Sequence, residues 1–157
     1  MDRSALLAAA LLTGSVSLST AQSHDHHPLV GVWSITFPAG SRIENGTPTV
    51  ITGTGRLRVE ASGDSLVARL QADPVEGRPA RPEARFAAKA GGDEVVFTQR
   101  SSVSININGE SREATAISTW TLTAKGDKLE GTLARRVGGA EIPAQAPQPV
   151  TGSRVKG

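Results

Sequence analysis

Hydrophobic and polar residues alternate with a period of two through almost all of the chain from Leu29 onward. No stretch of helical period lasts longer than a turn. The first alternating run extends from Gly31 to Phe37. Because residues two apart share one face of a strand, Trp33, Ile35 and Phe37 point to the same side. The pattern therefore predicts a first strand with Trp33 in the core of the protein.

Short turns that contain glycine separate most of the alternating runs, a polar loop is predicted at 38–45 after the first run, and two longer connections are rich in proline. The proline-rich loops are predicted at 73–83 and 138–149, since closely spaced prolines cannot enter a central strand. About eight strands joined mainly by tight turns are typical of an antiparallel meander. We therefore predict an all-β fold, an up-and-down antiparallel barrel over 29–157. The tight turns are predicted at Asn45-Gly46, Gly63-Asp64, Gly91-Gly92-Asp93, Asn108-Gly109 and Lys125-Gly126-Asp127.

The second predicted strand carries two glycines on its inward-facing side. Gly53 and Gly55 share the phase of Leu57 and Val59. A missing side chain at such a position permits a bend, or the close approach of another part of the chain. We expect these glycines to help the sheet to curl.

Residues 1–21 have the features of a secretory signal peptide. A charged start is followed by a short apolar segment from Ala5 to Leu12, and small residues precede Gln22. We predict cleavage after Ala21 and export of the mature protein to the periplasm or the medium. The apolar segment is shorter than the roughly 20 residues of a membrane span, so no span is predicted. The alternative is a cytoplasmic protein with an apolar N-terminal helix.

Composition narrows the function classes further. The chain has no cysteine and a formal net charge of +2. An exported protein without cysteine cannot use disulfides, so burial alone must stabilise the fold. The basic residues are scattered rather than clustered, and the sequence therefore gives no indication of nucleic-acid binding. The oligomeric state is left open.

The three histidines, His24, His26 and His27, all lie in the polar segment 22–28, which we predict to be a disordered tail. If cleavage leaves Gln22 as the first residue, His24 becomes the third. A free amine, two backbone amides and an imidazole can then bind Cu(II) or Ni(II) in a square plane. Gln22 can also cyclise, and short histidine tracts occur in tails that bind no metal. Both interpretations stay open, and no other cofactor is predicted.

Three features resemble the lipocalin-type barrel, in its wider grouping with fatty-acid-binding proteins and avidins. They are the Gly31-x-Trp33 motif at the start of the first strand, the meander of hairpins, and Arg154 near the chain's end. Within this grouping the chain is most similar to the small exported bacterial barrels. The resemblance implies that Trp33 seals one end of the barrel and that Arg154 lies across its indole. The chain has no tyrosine for the family's Asp-Tyr motif. It also lacks the ring of tryptophans expected around biotin.

The predicted barrel offers few groups for catalysis. From Leu29 onward it has no histidine and no cysteine, which removes the usual general base and the thiol nucleophile. Its carboxylates fall at turns or on outward-facing positions, so none is placed opposite another across a pocket. We expect a non-catalytic protein. A weak isomerase or cyclase activity in a barrel pocket is a third alternative.

Binding of a small, largely apolar molecule inside the barrel is the first function that we predict. The interior of an eight-stranded barrel is either filled or just wide enough for one small ligand. Alanines and serines on several inward faces leave room for a cavity, but they would also let the walls close together. The alternative is a filled barrel that acts as a structural or protein-interaction module. A cavity on the order of several hundred Å³ would favour the carrier. The candidate ligand-binding residues are Trp33, Phe37, Phe86, Phe97, Gln99, Ser101, Ser118 and Trp120, with Arg135 as a further polar group.

Overall fold

The structure is a computed structural model that describes residues 26–45, 47–77, 79–107, 109–138 and 145–157. The predicted signal peptide, the first residues of the predicted tail and the candidate metal ligand His24 lie outside the described residues. The predictions made for them therefore stay predictions.

The described chain is all-β, with every neighbouring pair of strands antiparallel. The strands are β1 (Gly31–Glu44), β2 (Thr47–Ser62), β3 (Ser65–Ala72), β4 (Ala84–Lys89), β5 (Glu94–Ile107), β6 (Glu110–Lys125), β7 (Lys128–Gly138) and β8 (Gln148–Arg154). The sheet order is β4-β3-β2-β1-β8-β7-β6-β5, so β1 pairs with both β2 and β8. The predicted all-β meander of about eight strands is confirmed. The loop predicted at 38–45 is wrong, because β1 passes through a bulge at this point and stays paired with β2 as far as Glu44.

The barrel is nearly closed rather than fully closed. Among the described residues no hydrogen-bonded ladder joins β4 to β5, although these two edge strands lie side by side. Side chains bridge the gap, because the rings of Phe86 on β4 and Phe97 on β5 meet edge to face with centroids 5.5 Å apart. The proline-rich connection before β4 leaves that strand short, which limits how far it can pair.

The two ends of the barrel differ in their connections. The end formed by the turns at 63–64, 90–93 and 126–127 is called the closed end below. The other end, where β3 and β7 finish, is called the open end. The connections at the closed end are tight turns, whereas the open end carries the two longer connections besides the short ones from β1 to β2 and from β5 to β6.

Large side chains fill the barrel from the closed end to its middle. These residues alternate along their strands as the sequence pattern predicts, and each is less than 2% exposed. They belong to one continuous core cluster that includes Trp33. The set comprises Leu29, Trp33, Ile35, Leu57, Val59, Leu66, Val95, Phe97, Leu122, Leu129 and Val150.

Trp33 and Arg154 close this end together. They are direct partners in the β1–β8 ladder, so their side chains share a face. The guanidinium carbon of Arg154 lies 4.2 Å from the centre of the Trp33 ring. Arg154 also donates hydrogen bonds of 2.9 and 2.8 Å to the carbonyl oxygens of Val30 and Pro28. The expected contact between Trp33 and Arg154 is confirmed.

Gly31 is required by the same arrangement for two reasons. Its φ is +139°, a conformation that L side chains rarely adopt. A Cβ at this position would also collide with Nη1 of Arg154. The glycine of the Gly31-x-Trp33 motif therefore leaves the space that the arginine occupies.

Gly53 permits the close approach that its inward position predicts. It pairs with Phe37 across β1 and β2. A Cβ on Gly53 would lie 2.7 Å from the Cβ of Ala39 and 3.6 Å from Cζ of Phe37. With no side chain there, the Phe37 ring can lie against β2 at the middle of the barrel.

Candidate functional site

Four aromatic rings meet at the middle of the barrel and form its aromatic floor, defined as Phe37, Phe86, Phe97 and Trp120. Phe86 stacks on Trp120 with centroids 5.6 Å apart and an interplanar angle of 11°. Phe37 packs against Trp120 at 5.7 Å, and the rings of Phe86 and Phe97 meet edge to face. Phe97 and Trp120 are direct partners in the β5–β6 ladder. All four residues are buried.

The indole nitrogen of Trp120 is the unusual feature of this floor. Trp120 is 3% exposed, and among the described residues its Nε1 has no hydrogen-bond partner. Trp33 provides a direct contrast, because its Nε1 donates a 2.9 Å hydrogen bond to the carbonyl oxygen of Leu29. A buried donor without an acceptor costs about 1–3 kcal/mol. An acceptor supplied to Trp120 would recover that free energy.

A row of polar side chains lies one inward position nearer to the open end. Gln99 pairs with Ser118 across β5 and β6, and Ser118 pairs with Arg135 across β6 and β7. Ser118 is buried, and its Oγ accepts a 3.4 Å hydrogen bond from Nε of Arg135. Gln99 is half-buried, and its side chain makes no hydrogen bond to any residue that the structure describes.

Arg135 holds a positive charge in a partly buried position. Ser118 provides its one side-chain hydrogen bond within the described part of the chain, and no described carboxylate forms an ion pair with it. Burial lowers the pKa of Arg135 below its usual value, and the positive charge of Arg81 lowers it further. Within the described residues neither Arg81 nor Arg135 forms an ion pair with a carboxylate.

Arg81 reaches this end from the connection between β3 and β4. Its Nη2 donates a 3.1 Å hydrogen bond to the carbonyl oxygen of Ala39 at the bulge of β1. This bond fixes a loop residue to the wall of the barrel. Arg81 lies in a proline-rich connection that has no periodic pattern, so the sequence did not identify it as a candidate site residue.

Two small recesses adjoin the floor and the polar row. One has a volume of about 20 Å³ and is lined in part by Phe37, Gly53 and Arg81. The other, also of about 20 Å³, is lined in part by Leu133 and Arg135. Each has room for about one water molecule. Neither approaches the volume that we predicted for a carrier cavity.

The candidate residues from the sequence fall into two groups. The structure brings together the aromatic floor, Gln99 and Ser118, and it places Ser101 one further inward position toward the open end, exposed. Trp33 is not part of this group, because it lies at the closed end beneath Arg154. It therefore belongs to the seal of the barrel.

The described part of the histidine segment packs onto the barrel. Nε2 of His27 lies 2.8 Å from the carbonyl oxygen of Gly92, and its Nδ1 accepts a 3.2 Å hydrogen bond from the amide of Leu29. Both ring nitrogens therefore contact backbone groups, while His26 is exposed. Among the described residues no three His, Cys, Asp or Glu side chains lie together as metal ligands. Metal binding through His24 stays a prediction.

Two further findings concern the chain as a whole. No helix in the described residues is long and apolar enough to cross a membrane. The chain matches no family model, no curated protein and no solved structure. The resemblance to lipocalin-type barrels is therefore supported by the nearly closed antiparallel barrel and by the contact of Trp33 with Arg154, and membership of that family stays a prediction.

Proposed function

We propose that the protein is an exported, non-catalytic binding protein that holds a small, largely apolar ligand against the aromatic floor, on the side of the open end. The observation that carries the proposal is the buried Nε1 of Trp120, which has no acceptor among the described residues. Buried polar groups in proteins are normally paired, so an unpaired donor points to a partner from outside the fold. A carbonyl or ether oxygen on the ligand would accept this hydrogen bond.

The residues above the floor fit such a ligand. Gln99 and Ser118 add donors and acceptors to a surface of flat rings, and Ala116, the next inward residue of β6, adds no bulk. A mainly aromatic surface with a few polar groups is typical of small-molecule sites. Because the recesses next to the floor are small, we expect side chains at the open end to move when the ligand binds.

Native mass spectrometry of the full chain, produced in its own host and purified without added ligand, tests this proposal. We expect a reproducible small-molecule adduct. The variant Ser118→Phe places a ring on the inward face next to Trp120 and should abolish the adduct. Ile117→Phe, at the neighbouring outward position of the same strand, is the matched control and should retain it. Absence of any adduct, or an adduct that persists in Ser118→Phe, would contradict the proposal.

A second candidate function is a filled barrel that acts as a protein-interaction module. The recesses of about 20 Å³ favour it, because a filled interior leaves only the outer surface for binding. For this module we expect no adduct and no loss of partner binding in Ser118→Phe, provided that the variant folds. The same pair of variants therefore separates the two candidates.

A further inference from the structure

We propose that two copies of this chain form a symmetric dimer, in which residues 100–106 of β5 pair antiparallel with the same residues of the second copy. These residues are called the free edge below. The inference goes beyond the proposed function and does not depend on it, because a ligand against the aromatic floor neither requires nor prevents contact between two copies. Three properties of the free edge support the dimer: it extends past its neighbouring strand, its backbone groups face solvent, and it complements itself.

β5 is much longer than the strand beside it. β4 and β5 are the two edge strands of the sheet, and they comprise 6 and 14 residues. The chain turns back directly through 90–93, and the contact between Phe86 and Phe97 fixes an alignment in which β4 lies beside 94–99. The free edge therefore extends past the end of β4.

The connection before β4 turns away from the free edge. The backbone oxygen of Arg81 accepts a 3.5 Å hydrogen bond from Nε2 of Gln71 on β3. Nη2 of Arg81 donates its hydrogen bond to Ala39 on β1. Outside the β5–β6 ladder, no backbone hydrogen bond within the described part of the chain reaches residues 100–106. The free edge is therefore open to another strand.

The hairpin between β5 and β6 decides which backbone groups face the free edge. Ile107 pairs with Glu110 across a connection of two residues. Residues that flank such a connection exchange both backbone hydrogen bonds, and hydrogen-bonded pairs then alternate with non-hydrogen-bonded pairs along the ladder. The N–H and C=O groups of alternate residues of β5 therefore point away from β6, toward the free edge. These residues are Arg100, Ser102, Ser104 and Asn106.

The free edge lacks the features that usually keep edge strands apart. Proteins protect an exposed edge with charged residues, proline, a bulge or a very short strand. Residues 100–106 contain no proline and one charged residue, Arg100, and the register of β5 with β6 is unbroken. β4, the other edge strand, is short and carries Arg85 and Lys89. An unprotected edge of this length is suited to pairing with a further strand.

A second copy fits the free edge because this segment is complementary to itself. A symmetric interface brings the same segment of both copies together. With Val103 on the two-fold axis, Ser102 lies opposite Ser104 of the second copy, and Arg100 lies opposite Asn106. Both members of each pair direct their backbone groups to the edge, so each pair can exchange two hydrogen bonds. No two charged residues face each other, and Ser102 and Ser104 are small and exposed.

Sedimentation velocity of the protein purified from its own host tests the inference. We expect a reversible equilibrium between monomer and dimer at concentrations of about 1–300 μM, the range in which interfaces of small area associate. Ser102→Pro removes an N–H group that faces the free edge and that β6 does not use. It should weaken the dimer about ten-fold or more, because the symmetry of the interface removes the hydrogen bond twice.

Paired charge variants test the register and serve if Ser102→Pro fails to fold. Ser102→Lys with Ser104→Lys places two lysines opposite each other at two positions and should weaken the dimer about five-fold or more. Ser102→Lys with Ser104→Glu places lysine opposite glutamate at the same positions and should keep at least the wild-type affinity. Thr119→Lys with Thr121→Lys, on the outward face of β6, is the matched control for added charge and should leave the dimer unchanged within about two-fold.

Hydrogen exchange of backbone amides gives a second measurement. In the dimer the amides of Ser102 and Ser104 bond to the second copy, whereas those of Ser101 and Val103 bond to β6 within one chain. Protection of Ser102 and Ser104 should therefore rise with protein concentration. Protection of Ser101 and Val103 should depend much less on concentration. This alternation between neighbouring residues is specific to pairing at the edge of β5.

Three results would overturn the inference. The first is a wild-type protein that stays monomeric over this concentration range, including a monomer that binds an extended peptide of another protein at β5. The second is a dimer that neither Ser102→Pro nor the double lysine variant weakens. The third is an equal loss in the double lysine variant and in the control on β6, because general charge repulsion would then explain it. The ligand adduct expected for the proposed function is measured separately, so each proposal can fail without the other.

Discussion

Replacing each of the two tryptophans by phenylalanine tests whether Nε1 of Trp120 lacks an acceptor, the observation on which the proposed function depends. Both indoles are buried, at 0% and 3% exposure, so the loss of packing is similar in Trp33→Phe and Trp120→Phe. The variants differ in what happens to the Nε1 hydrogen. At Trp33 the substitution breaks a hydrogen bond to Leu29, whereas at Trp120 it removes a donor that has no acceptor among the described residues.

The difference in stability can be estimated from these contacts. Loss of the bond from Trp33 leaves the Leu29 carbonyl unpaired and costs about 1–2 kcal/mol. The phenyl ring also attracts Arg154 less than the indole does, which adds about 0.5 kcal/mol. Removal of the unpaired donor of Trp120 recovers about 1–2 kcal/mol. Trp33→Phe should therefore be more destabilising than Trp120→Phe by about 3 kcal/mol in the free energy of unfolding.

Urea denaturation of the unligated protein measures this difference. Far-UV circular dichroism gives a probe common to both variants, and the fluorescence of the remaining tryptophan gives a second one. The m-values should stay equal to that of the wild type, which shows that the unfolded states are comparable. A difference below about 1 kcal/mol would refute the reasoning, because the two nitrogens would then be equally well paired. The proposed function would lose its main support.

Two more predictions concern the closed end and the polar row. Gly31→Ala should destabilise the fold by about 2 kcal/mol or more, since it combines an unfavourable φ with a collision at Arg154. In a double-mutant cycle with Arg154→Ala, measured by urea denaturation, the double variant should lose less stability than the sum of the two single losses. Strict additivity would contradict the collision. Gln99→Leu should change the stability of the unligated protein by less than about 1 kcal/mol, because the side chain of Gln99 makes no hydrogen bond to a described residue. It should reduce the small-molecule adduct in native mass spectrometry, and an unchanged adduct would exclude Gln99 from the site.

The strands and the faces of the barrel could be predicted because alternation is a local property. Whether Phe97 or Trp120 points inward depends only on its phase within its own strand, and both were selected correctly as inward residues. Turn positions were accessible for the same reason, since glycine and asparagine act over two or three residues. The pairing of Trp33 with Arg154 came from a resemblance, because no local pattern relates residues so far apart in sequence.

The candidate site could be predicted only in part. Its aromatic and hydroxyl residues lie on strands in which apolar and polar residues alternate, whereas Arg81 comes from a loop that has no periodicity. The sequence could not predict that Nε1 of Trp33 has an acceptor and that Nε1 of Trp120 has none among the described residues, because this pairing depends on which backbone group lies nearest in space. A tryptophan on an inward phase gives the same sequence signal in both cases.

The sequence by itself determined that the fold is a meander of about eight strands, which face of each strand is apolar and where the short turns lie. These properties follow from interactions between near neighbours along the chain. Only the tertiary structure decided that Nε1 of Trp120 has no acceptor among the described residues and that Arg81 donates a hydrogen bond to Ala39 in the wall of the barrel. Those facts depend on which backbone groups the strands and the connection between β3 and β4 bring together in space, and such contacts are set by the packing of the whole barrel.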